Sequence, residues 1–415
     1  MNQSYDIAVI GGGASGFAAA ITAARLCNGR IAIFEKENRV LKKLLKTGNG
    51  RCNLTNTDLS ADYYHSADLK KAEEILKHFS LSDTLRFFEE IGLYTTETDG
   101  RIYPAGEQAS VVVDLLRTHA AELGVIEICD FPVVSLAKQG DYFVLASPDR
   151  TVTADIVIVA AGSKAAVENQ NMGYSLLEGV GHKIKPVFPA LTPVKTDNTY
   201  TKQLKGIRVK ADVRIGNQTQ RGEVLFTEYG LSGIAVMNFS IYARPGDIIA
   251  LDVAPEHTKQ ELAQILIQLA KIHPTRKAQD FLSGLLPKKL GHVLLKIAGC
   301  GNLEQPIGSI SKETLKQLAG LIKGFTFDIK GTKGFDSAQV CGGGAALDEI
   351  DTQTMESKIV PGLHITGEIL DAVGICGGYN LQWAWSTGCL AGQAAGEKSK
   401  KKNPTPQNRG KASGG

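Results

Sequence analysis

The chain has 415 residues, 43% of them hydrophobic and 21% charged, with a net charge of +3. That length exceeds what one hydrophobic core sustains, so two or three domains are expected, and the small charge excess, part of it in the terminal stretch 397-EKSKKKNPTPQNRGKASGG-415, gives no sign of a nucleic-acid surface. No run approaches the roughly 20 apolar residues of a membrane span, no basic-then-apolar leader opens the chain, and the seven cysteines are scattered without a C-x-x-C pair, so a cytoplasmic protein with no membrane segment, disulfide framework or metal site is expected.

In chain order, 5-YDIAVI-10 reads as a buried parallel strand, 14-ASGFAAAITAARL-26 as a helix of small residues and 30-RIAIFE-35 as a second buried strand, which together make a βαβ unit. A run that reads as helix leads into 45-LKTGNGRCNLTN-56, whose two Gly, three Asn and one Cys read as backbone laid against a ligand. Helices are expected at 69–79, at 82–92 with Ser82 as N-cap, and at 110–124. Strands are expected near 125–129, 132–137, 142–147 and 155–160.

From about 190 the runs become short, β-rich and broken by Gly, Asn and Pro, as in a barrel or sandwich. Between 257 and 322 three amphipathic helices follow, with Pro, Ser or Thr starts and Gly stops, and after 325-FTFDIKG-331 the glycine-rich style of the N-terminus returns. The fold class is therefore α/β. The expected division is a discontinuous Rossmann-like domain (1–189 and 331–397), an inserted β-barrel (190–255), an inserted helical subdomain (256–330) and a disordered tail (398–415), the last lacking apolar residues that would order it.

Gly11-x-Gly13-x-x-Gly16 follows the first strand directly and opens the first helix, and Glu35 lies 19 residues after Gly16 at the end of the second strand. A bare tight turn is the competing reading, and the placed acid tells against it. Glycines allow backbone to approach a pyrophosphate, the helix N-terminus offers N–H groups, and Glu35 can accept from both ribose hydroxyls. NAD and FAD share that adenosine half. The segment 363-LHITGEILDAVGICGGYNLQWAWSTGCLAGQAAG-396 separates them: a strand, a turn at Gly367, an acid at Asp371 and a helix opened by 377-GGYN-380 form a second loop that a flavoprotein must close and an NAD enzyme does not need. No second strand-linked Gly-x-Gly-x-x-Gly occurs, so NAD(P)H would enter only as an external reductant.

The motifs IGGGASGFAAA, LLKTGNGRCNLTN, GEVLFTEYGLSGIAV, AQVCGGG and TGEILDAVGICGGYNLQWAWSTG resemble the YhiN/HI0933-like (BaiN-like) flavoproteins over residues 4 to about 396. These are bacterial FAD-binding proteins often labelled an aminoacetone oxidase family, and they include a 3-dehydro-bile-acid Δ4,6-reductase. The sequence departs from the family at Asn49, where a glycine is usual, at 161-AGS, a variant of Thr-Gly-Gly, and at the variable Cys376. The resemblance implies noncovalent FAD in a two-part domain with barrel and helical inserts. It places Ala14 and Ser15 at the pyrophosphate, Glu35 at the ribose, Lys36 at the adenine edge, and the backbone of Val133, in its strand, at the base. It places Ala161 and Gly162 beside the cofactor. Asp371 is implied at the ribityl hydroxyls, the N–H groups of Asn380 and Leu381 at the flavin N1/O2 edge, and Gly50, Arg51, Cys52 and Asn53 around the ring.

The resemblance further implies an oxidoreductase of the CH–CH class, passing a hydride from flavin N5 to an activated C=C bond of a cyclic, steroid-like enone. The alternatives are an oxidase of a small amine or amino ketone, and a non-enzymatic flavin- or RNA-associated protein. A small-molecule substrate is expected and nucleic acid is not; the sequence leaves oligomeric state open. For the proton, Tyr103, Tyr229 and Tyr379 are the candidate acids, each more readily structural than catalytic. Cys52 reads first as a residue packed beneath the ring.

Overall fold

The computed structural model describes residues 3–165 and 172–402. Two compact units emerge, one built from the chain up to Phe188 and again from Val340, the other from Pro189–Gln339.

In the first unit a sheet runs in the order Ile126–Ile128, Ile31–Phe34, Gln3–Ile10, Thr151–Val159, Tyr142–Ala146, Ser135–Gln139. The first four strands are parallel, and the last two form an antiparallel hairpin on the N-terminal half of Thr151–Val159. The C-terminal half of that long strand takes Leu363–Ile365, again parallel, so both chain ends meet in one sheet. Strand Ile31–Phe34 is buried throughout, as covering helices on a parallel sheet require.

The first helix, Ala14–Leu26, packs along the last, Tyr379–Lys402, at backbone distance. A Cβ added to Gly388 would lie 2.5 Å from the Ser15 carbonyl oxygen, one on Gly392 2.3 Å from that of Ala19, and one on Gly396 2.9 Å from that of Ala23. Contacts that advance together along both helices mean that the two run parallel, with their N-termini at the same end. Trp383 and Trp385 lock the last helix in rotation, donating to the carbonyls of Gly367 and Leu54.

The second unit is a closed antiparallel barrel in the order Val194–Thr196, Gly230–Ser232, Gln218–Thr227, Arg208–Ile215, Ile248–Asp252, Phe325–Thr332, with helices Lys259–Ile272, Lys288–Ile297 and Lys312–Lys323. Its closing strand, Phe325–Thr332, comes after the helical segment, where a barrel at 190–255 and helices to 330 were expected. The alternating buried pattern of that strand meets both Ile248–Asp252 and Val194–Thr196, and closure leaves no bare edge.

Several local expectations are corrected. Residues 36–43 form no helix; Leu41 has φ +60, and the first helical turns are the 3₁₀ segment Leu44–Gly50. The third helix is capped by Ser80 and not Ser82, because Asp83 sits three residues after Ser80 and completes a capping box. Val133 lies in an irregular stretch just before the strand Ser135–Gln139. The last helix continues through residues 398–402, where a disordered tail was expected, and 403–415 lie outside the described residues. Among the described residues no helix is long and apolar enough to cross a membrane.

Because Gly392 meets backbone and not a yielding side chain, Gly392→Val is expected to lower the unfolding free energy by about 3 kcal/mol. A urea titration checks this, and an unchanged midpoint would mean that the two helices part without cost.

Candidate functional site

The three motif glycines do different work. Gly11 has φ +109, and a Cβ there would lie 2.3 Å from the Ala160 oxygen; a Cβ on Gly16 would lie 2.0 Å from the Gly11 oxygen. Both are demanded by the fold itself. At Gly13, whose φ of −92 any residue adopts, a Cβ would meet nothing within 4 Å. Its emptiness serves nothing inside the protein, and it lies where the first helix begins, beside Ala14 and the buried Ser15.

Glu35 ends the second strand with each carboxylate oxygen accepting one backbone N–H, from Gly12 at 2.8 Å and from Glu37 at 3.0 Å. Those bonds aim the carboxylate while leaving lone pairs on both oxygens for hydroxyl donors. An open cleft is lined by Gly11, Glu35, Lys36, Phe131, Val133, Ala161, Gly162, Ser163 and Tyr174, among others. Backbone bonds from Phe131 to Glu35 and from Val134 to Ala146 hold the intervening Val133 against it.

The stretch 45–56 is left-handed in the middle: Gly48, Asn49, Gly50 and Cys52 have φ of 56°, 56°, 85° and 58°. Asn49 fits a glycine position because asparagine tolerates that conformation. Cys52 is fully buried, and burial pushes its thiol up to about 12, so at neutral pH it is no thiolate nucleophile. The Arg51 guanidinium lies over the Tyr103 ring at 4.4 Å, donates to its hydroxyl at 3.3 Å and pairs with Glu107 at 3.5 Å. Asn53 is buried with its Oδ1 accepting no hydrogen bond, an unmet acceptor beside that curve.

This loop is sewn to the chain's other end. Thr55 donates to Gln382, Asn56 donates to the Gly377 carbonyl, and a Cβ on Gly378 would lie 2.5 Å from the Thr55 oxygen. Asn380 turns its side chain back to bond both the N–H and the carbonyl of Gly374, while the N–H groups of the first helical turn, those of Asn380 and Leu381, have no partner within the helix. Gly367, at φ +81, brings its Cα against the Ser15 side chain, and Asp371 is buried, accepts from the Ala67 N–H and has its pKa raised by burial. Of the tyrosines, Tyr379 is buried beside Tyr63, which with burial pushes its phenol up to about 12, and Tyr103 sits under Arg51. Tyr229 belongs to the other unit, where Lys333 lies over its ring at 4.5 Å.

Sequence reasoning passed over Lys43, Ser163 and Glu368, which form one hydrogen-bonded group: Ser163 Oγ and the Cys341 N–H donate to Glu368 Oε1, and Lys43 donates to Oε2. Residues 325 positions apart carry no local signal. The glycines at 388, 392 and 396 did carry one, a four-residue spacing that matches the small face of the first helix.

An FAD fits these residues. The opening at Gly13, the twin acceptors of Glu35, the cleft at Val133, the orphaned Asn53 Oδ1 and a second helix N-terminus offer what an extended dinucleotide needs, in one unit of the chain.

The pattern of the HI0933-like protein Rossmann domain matches residues 5–394. The chain is 38% identical over 408 residues, 94% of its own length and 99% of that protein's, to a 3-dehydro-bile acid delta(4,6)-reductase of Clostridium scindens. It is 29% identical over 406 residues, 94% and 98% of the two lengths, to a ribosomal RNA dihydrouridine synthase of Escherichia coli, and 30% identical over 398 residues (93% and 97%) to one of Haemophilus influenzae. Among solved structures, a 3-ketosteroid delta1-dehydrogenase of Sterolibacterium denitrificans matches with a TM-score of 0.51 at 13% identity, covering 96% of this chain and all of the other, a likeness of fold. The expectation that nucleic acid is no partner finds no support in these relatives, two of which are named for RNA.

The glycines give a graded prediction. Gly13→Val should fold normally and lose dinucleotide binding, whereas Gly16→Val should not accumulate as folded protein. Gly50→Val, strained at φ +85, should lose most of its cofactor, while Cys52→Ser should keep cofactor and most activity. Flavin content per folded chain is the measurement. Full cofactor in Gly50→Val with no turnover in Cys52→Ser would make the loop a thiol site.

Proposed function

The chain belongs to the HI0933-like family, and from that premise we propose that it is an FAD-dependent oxidoreductase that reduces a C=C bond conjugated to a carbonyl, with a cyclic, steroid-like enone as substrate. The observation that carries the reading is the 38% identity, over 99% of its length, to a protein named for reducing a bile-acid dienone, joined to a cradle whose polar groups suit a flavin dinucleotide.

When bound, FAD supplies a hydride at N5. The chain's own residues do the rest. Glu35 and the first helix N-terminus hold the adenosine and diphosphate, and Val133 lines the base cleft. Gly48, Asn49 and Gly50 give the loop the left-handed curve that would let backbone approach the ring, and the buried Asn53 Oδ1 would offer an acceptor to a ring N–H. Asn380 and Leu381 present helix-terminal N–H groups where negative charge gathers on reduction. Cys52 and Tyr379, both pushed up to about 12, keep their protons at neutral pH. Tyr103, whose hydroxyl oxygen accepts from Arg51 and so leaves its proton free to donate, is the candidate proton donor to the substrate carbon.

A second reading is favoured by the distribution of charge. Residues 189–339 hold 20 Lys and Arg against 13 Asp and Glu, an excess of seven in a chain whose total is +3. A uracil ring in RNA presents the same carbonyl-conjugated C=C, and a basic insert suits a polyanion. Two relatives named ribosomal RNA dihydrouridine synthases support it.

Acid precipitation of the purified protein should release FAD. After anaerobic photoreduction, a 3-keto-4,6-diene steroid should reoxidise the flavin, and unmodified rRNA in its place tests the second reading. Rapid reoxidation by O2 with no response to either acceptor would overturn both readings in favour of an oxidase.

A further inference from the structure

We propose that Lys43 is the counter-charge for the cofactor's diphosphate, and that Glu368 is a positioning residue that holds the Lys43 ammonium over the start of the first helix. The proposal rests on the reading that a flavin dinucleotide lies along the glycine loop.

The segment carrying Lys43 is fastened to that loop. Leu41 donates its N–H to the Gly12 carbonyl at 2.8 Å, despite a φ of +60 that a leucine rarely adopts, and the Val40 side chain occupies the space where a Cβ on Gly12 would sit, 2.6 Å from Val40 Cγ1. Two residues on, Lys43 Nζ reaches Glu368 Oε2 at 2.5 Å. Glu368 directly follows Gly367, whose added Cβ would lie 2.4 Å from Ser15 Oγ. The ion pair is thus tied on one side to Gly12 and on the other to Ser15, across the first turn of the helix that opens at Gly13.

Charge gives this placement its meaning. A carboxylate fixed one residue from Gly367 opposes any diphosphate brought to the same helix end. Glu368 cannot swing away, since Oε1 accepts from Ser163 Oγ at 2.6 Å and from the Cys341 N–H at 3.1 Å. Lys43 resolves the conflict: an ammonium has three donors, so one can keep Glu368 while another takes a phosphate oxygen. Its side chain is 50% exposed and that of Glu368 19%, which leaves the ammonium a face open for a second anion. An ion pair that only braced two loops would need neither the threading over Gly12 nor the link to Ser163 in the wall of the cleft.

The two explanations predict different patterns of affinity. FAD is removed, and its dissociation constant for the apoprotein is read from flavin fluorescence in wild type, Lys43→Met, Lys43→Arg and Glu368→Gln, each at two salt concentrations, with a urea midpoint for each. Glu368→Gln keeps the acceptor for Ser163 and the Cys341 N–H but drops the charge. Lys43→Met is expected to weaken FAD at least tenfold and to reduce the salt dependence. Lys43→Arg should stay within a few-fold of wild type, and Glu368→Gln, whose amide would turn an N–H and not an acceptor toward Lys43 while shedding the opposing charge, should lose less affinity than Lys43→Met. Equal losses in Lys43→Met and Glu368→Gln, or undiminished affinity in Lys43→Met, overturn the proposal in favour of a brace. A wild-type apoprotein that fails to take up FAD overturns the cofactor reading itself.

Discussion

The cradle depends on one contact, the backbone-to-backbone packing of the first helix on the last. Gly388, Gly392 and Gly396 leave no side chain between them and the carbonyls of Ser15, Ala19 and Ala23, so neither helix can slide without a clash. The last helix begins nine residues before Gly388 and the first begins one before Ser15, so at 1.5 Å per residue their N-termini are staggered by roughly 12 Å along a shared direction. Two positive helix ends set at that interval suit a ligand with one anionic group in its middle and another, electron-accepting, at its far end. The stagger is fixed by glycine spacing and not by any residue that touches the ligand.

Around that pair the remaining parts are ties. Thr55 to Gln382, Asn56 to Gly377 and Trp385 to Leu54 bind the left-handed loop to the last helix, and Glu368 binds the segment at Lys43 to the 161–163 turn. Almost every tie joins residues more than 200 apart in the chain. The site is therefore rigid where it is glycine-rich, which is the reverse of what glycine content alone would imply, because the freedom of Gly48 and Gly50 is spent on a conformation that the ties then hold.

Much of this was legible in the sequence because it is local. The glycine motif, the acid after the second strand and the left-handed loop each lie within about 20 residues, and backbone rules connect such residues to geometry directly. The barrel's closing strand was not, since Phe325–Thr332 looks like any alternating strand until its two neighbours are known. The cap reads as Ser82 from the sequence, and only the reach of Asp83 back to the Ser80 N–H moves it to Ser80. Lys43 and Glu368 announce nothing separately. A total of +3 averages over an insert with seven excess cations, and the expectation about nucleic acid rests on the total alone.

The join between the chain ends also sets an order of events during synthesis. The small-residue face of Ala14–Leu26 is made early, and the glycines that cover it follow about 370 residues later. At ribosomal rates of about 5–20 residues per second, that face stays without its partner for roughly 20–70 s. The central strand Thr151–Val159 likewise waits for Leu363–Ile365. The second unit has all its strands between residues 194 and 332 and can close its barrel within that interval. Any occupant of the first helix's bare face, a chaperone or a second nascent chain, therefore competes with the C-terminal helix itself, and assembly of the cradle is a late event in the life of each molecule.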